Sequence, residues 1–302
     1  MKLLQSKLIS FIILFCCLYG NTHAQQVYKI SQYVNRNFIH NPAAVGANNM
    51  STAGGLYRNQ WSGIEGGPKT TVFFGDTYFS SKSTGAGMVL YNDVTGPTSR
   101  TGGDLSASYS IKLDGDKRRV MFGLGLQVIQ FKIDKTALME SIPNDPLLSS
   151  AGTAIKGDVN AGIFYRSETF NAGFAALQLT QPKLDMIKTS ANVEGKLYRH
   201  YIFNASYSIK ADESNVLLPH VEMRMEPNVP VDFEGGIVLI HQDLLQLGFS
   251  AHYKQDYTFF AGLKLQHKYA INYAYEVYKT PVSVFGSGFG AHELMFRYFF
   301  AK

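Results

Sequence analysis

The chain has 302 residues with 28 Lys+Arg against 23 Asp+Glu, and only 17% of its residues are charged. No dense Lys/Arg run stands anywhere in it, which excludes a nucleic-acid surface. Aromatic content is high but lopsided, with 21 Phe and 18 Tyr against one Trp, beside 28 Gly and a mean hydropathy near zero.

The first element is a leader. Lys2 and Lys7 supply a positive start, Leu8 to Leu18 is apolar apart from Ser10, and Thr22-His23-Ala24 places small residues at −3 and −1 before Gln25. This is the layout of a secretory signal peptide cleaved near Ala24. The apolar run is too short for a membrane anchor, which needs roughly 20 apolar residues. Phe15 before Cys16 argues against a lipoprotein. Both cysteines, Cys16 and Cys17, fall in the leader, so the exported remainder has no disulfide, thiolate nucleophile or thiolate metal ligand. Removing Lys2 and Lys7 leaves 26 basic against 23 acidic residues, a net charge near +3. The expected organisation is a signal peptide over 1–24, an N-terminal segment over 25–50, and one unit over 51–302. In that N-terminal segment Asn41-Pro42 is a turn signal, since Pro fixes φ and keeps its predecessor extended. The turn suits a short plug at the mouth of whatever follows.

From residue 52 on, the chain alternates. Leu105 to Leu113 is apolar at every odd position and polar at every even one; Val120 to Val128 carries its apolar residues at even positions. Tyr269, Ile271, Tyr273, Tyr275 and Val277 share a face opposite Asn272 and Glu276, and Leu294, Phe296, Tyr298 and Phe300 lie opposite Glu293 and Arg297. A period of two over about nine residues puts one face in an apolar medium and the other in a polar one. Further strands are predicted at 52–60, 69–79, 85–92, 156–166, 169–179, 198–210, 215–226, 231–241, 243–254 and 256–266. The total is about 14, mostly of the 9–11 residues a tilted membrane strand requires. After residue 24 no apolar run is long enough for a membrane helix.

The links between strands alternate too. Asp114 to Lys117, Ser167-Glu168, Ala211 to Ser214, His241-Gln242 and the link near Gln266-His267 are tight. Lys132 to Ile155, Leu179 to Leu197 and Lys279 to Phe289 are long. Outer-membrane barrels have short periplasmic turns and longer external loops. With the N-terminus inside, the long links fall after odd-numbered strands, although those after strands nine and eleven are short. The fold class read from the sequence is therefore all-β: a transmembrane antiparallel β-barrel of about 14 strands in an outer membrane, with outer-membrane lipid against its apolar face. A soluble sandwich would carry more charge on its solvent face, and no propeller-blade repeat is present.

Nothing in the sequence supports catalysis or a cofactor. Gly286-Ser287-Gly288 lacks the nucleophile-elbow spacing, and no His-Glu pair stands at metalloprotease spacing. His292-Glu293 lies on a strand, so its side chains point to opposite faces. Asn144-Asp145 and Asp114-Gly115-Asp116 have the residue types to ligate calcium, as do many acidic turns. The paired glycines at 54–55, 102–103 and 235–236 mark bends or close approach rather than a phosphate loop.

One set of motifs is more specific. Gln32-Tyr33 to Phe38 is followed by Asn41-Pro42-Ala43-Ala44-Val45-Gly46, then Tyr57-Arg58-Asn59-Gln60-Trp61 and Gly67-Pro68-Lys69-Thr70. Gly85-Ala86-Gly87, Asn92-Asp93, Gly96-Pro97-Thr98 and the strand ending Tyr109 to Leu113 complete the series. In order and spacing this resembles the PorP/SprF family of the type IX secretion system of Bacteroidetes. The resemblance implies a barrel of the fatty-acid-transporter type that works with secretion and gliding components. It also implies a large secreted surface protein as partner, exported or retained through that protein's C-terminal sorting domain. Asn41, Pro42, Tyr57, Arg58, Asn59, Gln60, Trp61, Pro68, Asn92, Asp93, Gly96 and Pro97 are then the candidate family residues and partner surface. From position alone, Arg58 is expected to face the lumen and meet Asp76 or Asp104, and Trp61 to sit in an interfacial belt or loop at the outer side. The competing reading is a channel for small or apolar solutes through a lumen holding Phe164 and Phe260.

Overall fold

The computed structural model describes residues 27–114, 117–141, 152–184, 195–227, 229–279 and 290–300. The signal peptide, Asn144-Asp145, Gly115-Asp116 and Gly286-Ser287-Gly288 lie outside them. Fourteen long strands run in chain order: β1 Thr52–Gln60, β2 Lys69–Phe79, β3 Thr84–Thr95, β4 Thr98–Lys112, β5 Arg119–Ile133, β6 Thr153–Arg166, β7 Phe170–Leu177, β8 His200–Tyr207, β9 Asn215–Met225, β10 Asp232–His241, β11 Leu245–His252, β12 Asp256–Leu265, β13 Tyr269–Tyr278 and β14 Ala291–Phe299. Every strand pairs antiparallel with its neighbours, and β1 pairs with β14 from Thr52↔Phe299 to Gln60↔Ala291. The sheet is closed, so no edge strand is left with unpaired N–H and C=O groups in lipid.

The two faces sort as the alternation predicts. Outward positions carry large apolar side chains left open: Phe73, Leu105, Leu124, Leu126, Phe259 and Leu294 are each more than half exposed. Inward positions are buried and often polar or charged, including Arg58, Arg119, Glu276 and Glu293. An apolar exterior over a polar interior is the reverse of a soluble domain and is what a bilayer selects. Among the described residues no helix is long and apolar enough to cross a membrane.

Two boundaries differ from those read in the sequence. β3 and β4 continue past residues 92 and 105 to meet at a two-residue turn, Gly96-Pro97, where Gly96 has φ +52°. The link after the third strand is therefore short as well. Residues 98–104 show no apolar alternation because polar side chains, such as the exposed Thr101, occupy the outward positions. β5 likewise runs on to Ile133 with exposed Gln130 and Lys132 on its outer face. This end of β3, β4 and β5 stands above the lipid, where the sequence signal for a membrane strand disappears. The other links bear out the expected parity in part: 134–152 and 178–199 are long, whereas 167–169, 242–244 and 266–268 are tight. On that parity the end holding Gly96-Pro97 is external, and the end where β1 begins is periplasmic.

Ahead of β1, residues 27–50 form no strand. They hold one short helix, α1 Tyr33–His40, and a 3₁₀ turn at Pro42–Ala44.

Candidate functional site: an occupied lumen and its external rim

Residues 27–50 lie against the inward face of the barrel along its length. At the external end the Tyr28 ring packs 4.7 Å from that of Tyr91. Ile30, fully buried, joins Leu56, Val72, Phe74, Val89, Tyr91 and Met295 in an apolar cluster. Phe38 meets Phe74 edge-on at 5.5 Å. Toward the periplasmic end Ala43, Ala44 and Ala47 pack on Met121 and Phe164.

The Asn41–Gly46 motif has a structural reason. The Asn41 side chain accepts from Ala43 N at 2.9 Å, capping the 3₁₀ turn, and donates to the carbonyls of Ile163 (3.2 Å) and Phe174 (3.4 Å) on β6 and β7. Pro42 suits the first position of that turn because its missing N–H would have no partner there. The wall beneath is cut away: a Cβ added at Gly123 would overlap Pro42 and Ala43, and one at Gly85 would overlap the Val45 carbonyl. Glycine is required at these positions for close approach of the inner backbone. Gly46 N then donates to Asp76 at 2.9 Å.

The segment's other fastening is ionic. Lys29 Nζ lies 2.7 Å from Asp256 and 3.4 Å from Glu276. Ser31 donates through its hydroxyl to Glu276 at 2.7 Å and through its backbone N–H to Glu293 at 2.8 Å. Arg58 completes the cluster: Nη2 reaches Glu276 at 2.7 Å and Nη1 reaches its other oxygen at 3.0 Å. Nη1 also lies 3.5 Å from Glu293 and donates to Ser31 Oγ. His252 bridges Asp256 (2.8 Å) and Glu234 (3.0 Å). Strands β10 to β14 and β1 thus each contribute one charged or titratable side chain to a belt near the external end.

Arg58 faces the lumen as expected, but its partners are Glu276 and Glu293, not Asp76 or Asp104. The register explains the difference. Arg58 stands opposite Thr70 and Glu293 near the external end, whereas Asp76 stands opposite Thr52 at the periplasmic end. Asp104 is on β4 and bonds Asn160 at 2.7 Å.

The remaining motif residues gather at the external end of β1 to β4. Gln60 N donates to the Pro68 carbonyl at 2.8 Å, and Gly96 N donates to the Gly66 carbonyl at 2.8 Å. Asp93 accepts from Thr70 at 2.6 Å and pairs with Arg100 at 2.5 Å. Asn92, exposed, donates to Thr101 at 2.8 Å. Tyr57 and Asn59 point outward; Asn59 stands opposite His292, whose ring is bonded to Tyr273. Trp61 takes φ +53° just past β1, in the loop whose next residue bonds Gly290. The candidate residues therefore form two groups: Asn41, Pro42 and Arg58 fasten the inner segment, and the rest build the external rim. Sequence reasoning passed over Lys29, Ser31, Glu234, Asp256, Glu276 and Glu293; acids at inward positions of membrane strands were the available signal. Among the described residues no group of three His, Cys, Asp or Glu is placed to hold a metal.

The profile described as "Type IX secretion system membrane protein PorP/SprF" matches residues 22–298. The chain belongs to the PorP/SprF family. It is accordingly an outer-membrane protein of the type IX secretion system, and its apolar outer face is the lipid contact. No curated protein matches the sequence. Among solved structures, this PorP/SprF protein is similar to the Ralstonia pickettii toluene transporter TbuX, with TM-score 0.51 and 11% identity over 87% of this chain and 93% of that one. It is also similar to a deltaS2S3 mutant of the TodX monoaromatic hydrocarbon channel, with TM-score 0.50 and 8% identity over 88% and 93%. At these identities the likeness is one of fold.

Proposed function

We propose that this PorP/SprF protein is a binding platform rather than a conduit. On this reading it receives a large secreted surface protein at its external rim and helps export or retain it through that protein's C-terminal domain. The observation that carries the reading is the occupied lumen. The chain's own residues 27–50 fill it, fastened by the Lys29, Ser31 and Arg58 cluster at one end and by Asn41 and Gly46 at the other. A solute pathway would have to displace that segment. The motif residues not used in fastening it, Tyr57, Asn59, Gln60, Trp61, Pro68, Asn92, Asp93, Gly96 and Pro97, share the external end and support that end as the receiving surface.

The test is recovery of the tagged protein from outer membranes in mild detergent, with mass spectrometry of what stays bound. A secreted protein with a C-terminal sorting domain, or gliding and secretion components, supports the platform. A solitary barrel, together with a deletion strain that still displays every such surface protein, refutes it. Passage of a small solute is the second reading, favoured by a cavity of about 220 Å³ beside Phe38 and Phe164 at the periplasmic end of the lumen. It requires single-channel conductance or solute uptake by the purified wild-type protein.

A further inference from the structure

The inward arginines divide into two sets. At the external end each has a carboxylate: Arg58 with Glu276, Arg100 with Asp93, and Arg224 with Glu222 at 2.7 Å. At the periplasmic end Arg119, Arg166 and Arg297 have none within ion-pair distance among the described residues.

Arg119 opens β5 and Arg166 ends β6, and the register sets them directly opposite each other. Like charges in that position repel. Both guanidinium groups converge on one acceptor, the Ala47 carbonyl: Arg119 Nη2 donates to it at 2.9 Å, and Arg166 Nη1 donates to it as well. Arg119 is fully buried, its Nε and Nη1 have no hydrogen-bond partner, and its guanidinium lies over the Tyr78 ring, 4.7 Å from the centroid. Arg297 has an orphaned Nε too, and its Nη2 reaches only Asn272, at 3.5 Å. Buried charges without partners are costly. Arg119 is buried and Arg166 and Arg297 half-buried, Arg166 bonding Asn48 at 3.0 Å and Arg297 lying over the Phe299 ring, so none of the three guanidinium charges at this end of the lumen is balanced by an ion pair among the described residues.

The space for a counter-charge is present. Arg166 and Arg297 both line the cavity of about 220 Å³ at the periplasmic mouth, where Asn48, Asn171 and Ser206 add neutral polar groups. Asp76 and Glu168 also border it, but Asp76 is engaged by Gly46 N. We propose that this cavity is an anion site, open to the periplasm, that takes a carboxylate- or phosphate-bearing ligand. Arg166 and Arg297 contact the ligand, and Arg119 adds positive potential from behind. Arg in such a site presents paired N–H donors that match both oxyanions. The site is independent of the external rim, so its fate does not decide the platform reading.

The experiment is isothermal titration of the purified barrel in a neutral detergent and low-salt buffer. The probes are inorganic phosphate, citrate, and a short peptide with a free C-terminal carboxylate beside its C-terminal amide. Saturable binding of at least one anionic probe is expected, weakened at least tenfold in Arg166→Gln and Arg297→Gln and unchanged in Lys196→Gln at the external end. Binding of the free-acid peptide but not its amide identifies a peptide carboxylate as the source; binding of phosphate or citrate alone identifies a small oxyanion. A second measurement keeps the arginines intact: Asn171→Cys should react more slowly with a maleimide when the bound probe is present. Absence of saturation by every probe at millimolar concentration overturns the proposal. So does equal binding by wild type and both arginine variants.

Discussion

Replacing Arg58 by Met removes a buried cation that no other group can substitute. Arg58 is 1% exposed and makes a two-pronged contact with Glu276, at 2.7 and 3.0 Å, while also approaching Glu293 at 3.5 Å. Met fills similar volume without charge. It leaves Glu276 with Lys29 at 3.4 Å, Ser31 at 2.7 Å and the Tyr278 hydroxyl at 2.9 Å, and leaves Glu293 with Ser31, since its Oε1 already lacks a partner. Breaking a buried ion pair from one side costs about 3–5 kcal/mol. At about 1.4 kcal/mol per tenfold, that is roughly two to three and a half decades in the equilibrium constant. The loss should appear as a lower denaturant midpoint for the barrel in vesicles, followed by Trp61 fluorescence, and as easier tryptic cleavage after Lys29. Adding Glu276→Gln removes the stranded carboxylate, so the double variant should recover a large part of the loss. An unchanged midpoint for Arg58→Met, or single effects that simply add in the double variant, would refute the reasoning.

Asn41→Ala removes one accepted and two donated hydrogen bonds; at about 1 kcal/mol each the inner segment should loosen by about 1–3 kcal/mol, read as faster cleavage after Lys29 with the barrel itself intact. Gly123→Val places a side chain where the Pro42–Ala43 backbone runs, so the segment should unseat and the purified barrel should gain conductance that wild type lacks. Lys196→Cys and Glu168→Cys test the orientation. A membrane-impermeant maleimide added to intact cells should label the first, and should reach the second only after the outer membrane is opened.

The wall of the barrel was legible because lipid imposes a strict rule, with one apolar and one polar face per strand. Tyr269 to Val277 and Leu105 to Leu113 follow it, and those strands fall where the alternation put them. The rule fails where lipid ends, which is why the alternation stops at residue 92 and resumes only at 105, leaving the polar flanks of the Gly96-Pro97 hairpin outside the predicted strands. The lumen was far less legible. Alternation assigns Arg58 to the inner face but carries nothing about which of fourteen strands it meets; Glu276 and Glu293 lie more than 200 positions away in the chain and become neighbours through closure. The Asn-Pro turn was visible as a turn. Its seat was not, because a glycine such as Gly123 shows what approaches it only once the inner segment is in place.

Closure and seating of the inner segment meet at one place. β1 and β14 form the seam, and Arg58 faces Glu293 directly across it. Ser31 touches both, accepting from Arg58 and donating to Glu293 through its backbone N–H. β13 adds Glu276 to the same cluster from the next strand. The last long-range pairing of the chain therefore buries its charges against a segment that precedes the first strand. A barrel deprived of residues 25–50 would close around Asp256, Glu276 and Glu293 with only Arg58 and His252 facing them, and with glycine-lined wall facing empty space. Such a truncated chain, given a functional signal peptide, should fold with markedly lower yield, seen as less of the compact, heat-modifiable form in unboiled electrophoresis. Adding back Glu293→Gln should raise that yield if the stranded seam carboxylate is the cause. Equal yields for full-length and truncated chains would mean instead that the wall closes by strand pairing alone, with the segment entering afterwards.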